Sequence, residues 1–274
     1  MERALFLCSR ATGSVERVET VVKERGGAPE RFFEAEAAGL RWLAAAEGGG
    51  GGGARIVRVA SVEPGRIELE RIAEARPTAE DAREFGAALA ATHAAGAAAF
   101  GAPPDGWDGP LYIGRRPLPI AHETSWGRFY ARDRVQPYLD IAVEAGGVTA
   151  AQLPVIREAV ERVASGELDD GEPPARLHGD LWNGNVLWSA DGAVLIDPAA
   201  HGGHRETDLG MLTLFGLPFL DDVLAGYDAA RPLRPGWRAR IPLHQLHPLA
   251  VHAAGHGPAY GRALAEAARA TLAL

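Results

Sequence analysis

The stretch His178-Gly179-Asp180-Leu181-Trp182-Asn183-Gly184-Asn185, followed by Leu195-Ile196-Asp197-Pro198, decides how this chain is read. Asp180 and Asn185 stand five positions apart in a glycine-containing loop, and Asp197 ends the next apolar run. Phosphoryl transfer asks little covalent work of a protein: phosphates must be clamped, magnesium held, and an acceptor hydroxyl aligned. A carboxylate such as Asp180 can accept the hydroxyl proton and orient its oxygen. Asn185 and Asp197 offer the hard oxygen ligands that magnesium prefers. An isolated Gly-Asp pair would be read as a turn former. The loop, the hairpin after it and a third ligand in this order point instead to a base and two metal ligands.

The flanking segments are consistent with that reading. Asn185-Val186-Leu187-Trp188 and Ala193-Val194-Leu195-Ile196 flank a turn at Ala190-Asp191-Gly192, so a hairpin is expected to return Asp197 to Asp180. Helices are expected over Ser125 to Ala145 and Thr149 to Val163, while Gly101 to Ala121, rich in Gly and Pro, reads as an irregular loop. The remaining C-terminal segment reads as helices broken by Pro232, Pro235, Pro242 and Pro248.

The N-terminal part reads as strands around one helix. Val15 to Val22 alternates and runs into Lys23, after a turn candidate at Ala11 to Ser14. Phe32, Phe33, Ala37, Leu40 and Leu43 predict a helix over Arg31 to Ala46. The glycine run Gly48 to Gly53 is a connector, since it follows a helix and precedes a strand, the reverse of a phosphate-binding loop. Strands over Arg55 to Val62 and Arg66 to Ile72 surround a turn at Glu63-Pro64-Gly65. Thr78 then caps a helix carrying Phe85, Leu89 and His93 on its apolar face. A boundary near residue 73 divides a strand-rich nucleotide-binding lobe, 1–73, from a larger helical lobe, 74–274, for catalysis and substrate. Lys23 and Glu36, thirteen residues apart, are the expected phosphate-contacting Lys and its helical partner. Glu34 competes for that role, but Glu36 shares a face better with Leu40 and Leu43.

Bulk composition excludes several classes. The chain has 274 residues, 47% hydrophobic and 23% charged, with a net charge of -8 and a pI near 5.6. No dense Lys/Arg run offers a nucleic-acid or membrane surface. No apolar run approaches the ~18 residues of a membrane span. The single cysteine, Cys8, permits no internal disulfide and suits a cytoplasmic location. Monomer and homodimer both remain open.

The block Leu177-His178-Gly179-Asp180-Leu181-Trp182-Asn183-Gly184-Asn185-Val186 resembles the catalytic loop of the fructosamine/ketosamine 3-kinases, relatives of aminoglycoside phosphotransferases and choline kinases. Ile196-Asp197-Pro198-Ala199-Ala200 and Gly203-His204-Arg205-Glu206-Thr207-Asp208-Leu209 resemble a second block of that family, as do Tyr112-Ile113-Gly114 and Trp126 with Phe129-Tyr130-Ala131-Arg132. The resemblance implies an α+β bilobal protein kinase-like fold, with a small antiparallel-sheet N-lobe and a larger, mainly helical C-lobe. It implies ATP and Mg2+ as cofactors, Asp180 as base, and Asn185 and Asp197 as metal ligands. Lys23 and Glu36 would form the nucleotide pair, and Glu70-Arg71-Ile72 a hinge that presents Glu70 and Ile72 backbone groups to adenine. Trp182 and His252 would line the sugar pocket, although Trp182 also fits a core residue beneath the loop. His178 and Asp208 would support the loop, although Asp208 also fits a plain helix N-cap.

The implied activity is phosphorylation of a sugar hydroxyl on a free or protein-bound ketosamine, in deglycation repair. An aminoglycoside or amino-alcohol phosphotransferase of the same fold, or a nucleotide-binding pseudokinase, is the alternative. Two departures stand out. Leu7 to Ser14 is shorter and poorer in glycine than the family's phosphate loop, and His201-Gly202 replaces an aromatic pair. Cys8 reads as a small buried thiol. His252 and His256 have helical ligand spacing, but Gly255, Gly257 and Pro258 argue against a zinc site.

Overall fold

A computed structural model describes residues 19–48 and 52–274. The expected phosphate loop, Cys8 and the start of the first strand lie outside them. Strand β1 (Thr20–Glu24) is followed by helix α1 (Phe32–Gly48), then by β2 (Arg55–Ile56), β3 (Val59–Glu63) and β4 (Arg66–Glu70). β3 and β4 form the expected hairpin, and β1 pairs antiparallel with β4, which places Lys23 opposite Ile67 in the order β1-β4-β3. The single strand expected over Arg55 to Val62 is in fact two. β2 pairs parallel with a later strand, and at Val57-Arg58 the chain changes partners: Val57 N–H bonds Leu195 O, while Arg58 O accepts from Glu70 N–H.

Helix α2 (Ala79–Ala94) begins in a capping box, in which the Thr78 side chain accepts from Asp81 N–H and Asp81 accepts from Thr78 N–H. The segment expected to be irregular contains a hairpin, β5 (Leu111–Ile113) with β6 (Arg116–Leu118). Its alternation is only three residues per strand, but the pairing buries Leu111, Ile113 and Leu118. The Ser125-capped helical run is α3 (Trp126–Phe129), a π-helical turn over Tyr130–Val135, and α4 (Gln136–Glu144). Then come α5 (Leu153–Ala164), β7 (Ala175–Leu177), the hairpin β8 (Val186–Ser189) and β9 (Gly192–Leu195), and β10 (His201–Gly203), which pairs with β7. The C-terminal helices are α6 (Arg205–Phe215), α7 (Leu220–Ala230), α8 (Trp237–His256) and α9 (Pro258–Leu272).

Pro242 and Pro248 do not break the chain but sit inside α8. Pro248 cannot donate to His244 O, four residues earlier. The Tyr130 hydroxyl donates to that carbonyl instead, at 2.7 Å. Tertiary structure thus satisfies the group that proline orphans.

Two apolar clusters form the core. One gathers α3, α4, α5, α8 and α9 around Tyr130, Leu139, Ile156 and Leu246. The other joins α1 and the first strands to α2, β8, β9 and α7 through Leu40, Ile67, Leu89, Val194 and Tyr227. In the second, α2 and α7 approach at glycines: a Cβ on Gly86 would overlap Val223 O, and one on Gly226 would overlap Arg83 O. Gly86→Ala is therefore expected to cost about 1–3 kcal/mol, read as a lower melting temperature; an unchanged melt would contradict so close a crossing. Among the described residues no helix is long and apolar enough to cross a membrane.

Candidate active site

The catalytic-loop candidates converge because β7 and the β8–β9 hairpin meet at one end. Ile196 N–H donates to Asn185 O at 3.1 Å and Ala199 N–H to His178 O at 2.9 Å, fastening the metal-ligand candidate Asp197 beside the loop. Asn185 is buried, and its Nδ2 donates to Asp180 O at 2.7 Å and Asp180 Oδ2 at 3.2 Å. That commits the amide nitrogen and leaves Oδ1 as the ligand atom. Asp197 has φ +54°, a left-handed conformation uncommon for a residue with a side chain and often found at functional sites.

Lys23 Nζ donates to Glu36 Oε1 at 2.8 Å and also to Asp197 Oδ1. It is the only lysine in the chain. Burial works against its charge, but Glu36 and Asp197 outweigh that and raise its affinity for the proton. Glu36, not Glu34, is the partner. Helix α1 is held in place to present it: Trp42 Nε1 donates to Asp105 Oδ2 at 3.0 Å, the Arg176 guanidinium lies 4.5 Å over the Trp42 ring, and Tyr112 Oη donates to Glu30 O at 2.8 Å.

Burial pushes the Asp180 carboxyl up to about 7, against the Asn185 hydrogen bond, with the charges of Asp197 and Asp208 adding to the rise. A base poised near neutrality suits proton abstraction from an alcohol. His178 is buried, and burial holds it below its ordinary value. Its Nδ1 accepts from Asp180 N–H at 3.3 Å, so the hydrogen sits on Nε2, which donates to Ile196 O at 2.9 Å. Asp208 is not an N-cap. His204 caps α6, and Asp208, a turn further in, accepts from His178 N–H at 2.8 Å and Gly179 N–H at 3.0 Å.

Trp182 is not a core residue: it is 40% exposed. Its ring packs over Gly184, where a Cβ would overlap it. It meets Phe215 at 6.0 Å between centroids, Phe215 meets His252 at 4.9 Å, and His252 meets Tyr260 at 5.0 Å. Trp182 and His252 thus share one aromatic face, with Phe215 and Tyr260 as members that spacing did not reveal because they come from separate helices. His252 Nδ1 is 2.7 Å from Pro248 O.

The hinge candidates are less free. Glu70 binds Arg55 through its side chain at 3.0 Å and spends its N–H on Arg58 O, while Arg71 N–H bonds Glu19 O. Ile72 packs against the second core cluster. A backbone donor for adenine would have to come from Ile72 or beyond.

The oxygen set of Asn185 and Asp197 fits a magnesium ion, which takes few protein ligands and otherwise keeps water and phosphate oxygens. A second group, His204, Glu206 and His244, brings three possible ligand atoms within 4.8 Å of one another. There Arg240 bonds both Glu206 oxygens, at 2.5 and 2.9 Å, and its guanidinium opposes a cation. That group is a polar hub tying α6 to α8.

A Lys–Glu pair facing a loop that gathers two carboxylates and an amide oxygen is the arrangement of a phosphotransferase of the protein kinase-like fold class. Comparison with known proteins is consistent with this. The chain belongs to the fructosamine kinase family, whose profile matches residues 14–273. A probable ketoamine kinase of Enterococcus faecium is 33% identical over 238 residues, 84% of this chain and 79% of that one. A crystal structure of a Thermobifida fusca protein assigned as a fructosamine-3-kinase superposes with a TM-score of 0.85 at 46% identity, covering 93% of this chain and 86% of that one. The choline kinase LicA of Streptococcus pneumoniae, at 16% identity, TM-score 0.60 and coverage of 95% and 88%, shares the fold. So does an aminoglycoside phosphotransferase, APH(4)-Ia, at 15%, 0.56 and coverage of 97% and 93%.

Proposed function

We propose that this chain is an ATP- and Mg2+-dependent ketoamine kinase that phosphorylates a hydroxyl on the sugar part of a fructosamine or ribulosamine, free or attached to a lysine amine. Residues 1–73 would form the nucleotide lobe and 74–274 the catalytic and substrate lobe. The observation that carries the reading is the convergence of Asp180, Asn185, Asp197 and Lys23 beside the aromatic face of Trp182, Phe215 and His252.

Asp180 would align the acceptor hydroxyl and take its proton as the oxygen attacks the terminal phosphorus of ATP, whose bond to the bridging oxygen breaks and releases ADP. Lys23, held by Glu36, would offset phosphate charge, and that charge is worth most where water is excluded. Magnesium held by Asn185 and Asp197 would supply charge neutralisation on the phosphate oxygens. The flat face of Trp182 suits the apolar side of a sugar ring, and the row of rings beyond it suits the cationic amine. Phosphorylation next to the ketoamine linkage destabilises it, which gives the activity a place in deglycation.

The test is phosphoryl transfer from ATP across ketosamines, aminoglycosides and amino alcohols. Transfer confined to ketosamines is expected. A preference for another class would move the acceptor assignment, and no transfer to any would favour a nucleotide-binding pseudokinase. Trp182→Ala is expected to raise KM for the sugar amine or lower its kcat while leaving ATP affinity within about twofold. The reverse pattern would place the ring in the nucleotide site.

A further inference from the structure

We propose that His93, with Tyr227 behind it, is a positioning residue for the catalytic loop. His93 is fully buried on α2, far in sequence from any motif of the site. Its Nε2 lies 3.1 Å from Asp208 Oδ2, and its Nδ1 lies 2.8 Å from Tyr227 Oη. Asp208 is the shared acceptor of the His178 and Gly179 amides, and Gly179 immediately precedes the base.

The direction of the hydrogen toward Asp208 follows from the chemistry. Burial favours protonating Asp208, but His93 and the loop amides outweigh it and hold the carboxyl below its ordinary range. An ionised carboxylate only accepts, so Nε2 carries the hydrogen and donates to it. With its one hydrogen on Nε2, the ring has Nδ1 to accept from the Tyr227 hydroxyl; with two, Nδ1 donates to it, and the contact at 2.8 Å holds either way. The close crossing of α2 and α7 at Gly86 and Gly226 is what brings Tyr227 within reach. Tyr227 in turn interacts with Arg205, which lies on α6 as Asp208 does. Three helices therefore meet behind the loop through one imidazole.

The two loop amides take one carboxylate oxygen each, His178 N–H at Oδ2 and Gly179 N–H at Oδ1, and His93 joins His178 at Oδ2, so the oxygen that holds the start of the loop is itself held from α2. A cavity of about 250 Å3 borders His93, Arg205 and Arg231.

The experiment compares wild type, His93→Leu and His93→Gln, since glutamine retains an N–H where histidine has one. His93→Leu is expected to lower kcat roughly 10²-fold, as a misplaced reacting group does. KM for ATP and for the ketoamine should stay within about twofold, and His93→Gln should recover most of the loss. Amide hydrogen exchange at His178 and Gly179 should be faster in His93→Leu and near wild type in His93→Gln. Unchanged exchange in His93→Leu, or an equal fall in both variants, overturns the proposal. The proposal rests on the phosphoryl-transfer reading, but the exchange measurement stands apart from it. A wild type without turnover would count against that reading alone.

Discussion

Asp180→Asn is expected to lower kcat by roughly 10²–10⁴-fold, the range for loss of a general base, while nucleotide affinity stays near wild type. Asparagine keeps the size and the hydrogen-bonding reach but cannot take the proton. Steady-state kinetics with a ketosamine, beside equilibrium binding of a non-hydrolysable ATP analogue, reads both halves of the claim. Unchanged turnover would remove Asp180 from the base role.

The pH dependence has a defined sign. Burial raises the carboxyl to about 7, so the ionised, competent form is lost as pH falls through that value. In the free enzyme kcat/KM should drop about tenfold per unit on the acid side. Because the fold disfavours that charge, Asp180→Asn should melt no earlier than wild type at pH 8. An early melt would point to structural damage instead.

Asp197→Asn should have the next largest effect, a fall in kcat of roughly 10²–10³-fold, as for removal of one electrostatic contact to the transferring group. It differs from Asp180→Asn in what else it disturbs. Asp197 is a metal-ligand candidate and a direct partner of Lys23, so nucleotide binding should weaken and its enhancement by magnesium should shrink. Lys23 keeps Glu36, so the α1 contact survives and the melting temperature should change little. Titration of the nucleotide with and without magnesium checks this. Full magnesium enhancement in the variant would place the metal on other oxygens.

What could be read from the chain beforehand was mostly local. Asp180 and Asn185 share one loop, and a two-residue turn at Ala190-Asp191 returns Asp197, so their meeting needs only hairpin geometry. Thr78 and Asp81 announce a helix start three residues apart. Lys23 and Glu36 are farther apart, but a strand followed by a helix leaves few ways for them to face each other.

Features that depend on distant partners were not legible. β2 is a strand only because β9 lies alongside it, about 140 residues away by the numbering. Pro248 is tolerated only because Tyr130 reaches the orphaned carbonyl of His244. His93 looked like one more position on the buried face of α2, and burial it has; its tie to Asp208 appears only when α2, α6 and α7 pack.

Sequence by itself determined the chemistry on offer at this site: which carboxylate, which amide and which ammonium, and the loop that holds the first two together. Tertiary structure alone decided how those groups are tuned and held. Burial set the Asp180 carboxyl near neutrality, packing joined Trp182 to His252 through Phe215, and a crossing of helices put His93 behind the loop. The division has a physical cause. Side-chain identity and short-range backbone geometry are local properties, whereas desolvation and hydrogen-bond partnership depend on whatever distant chain fills the space beside a group.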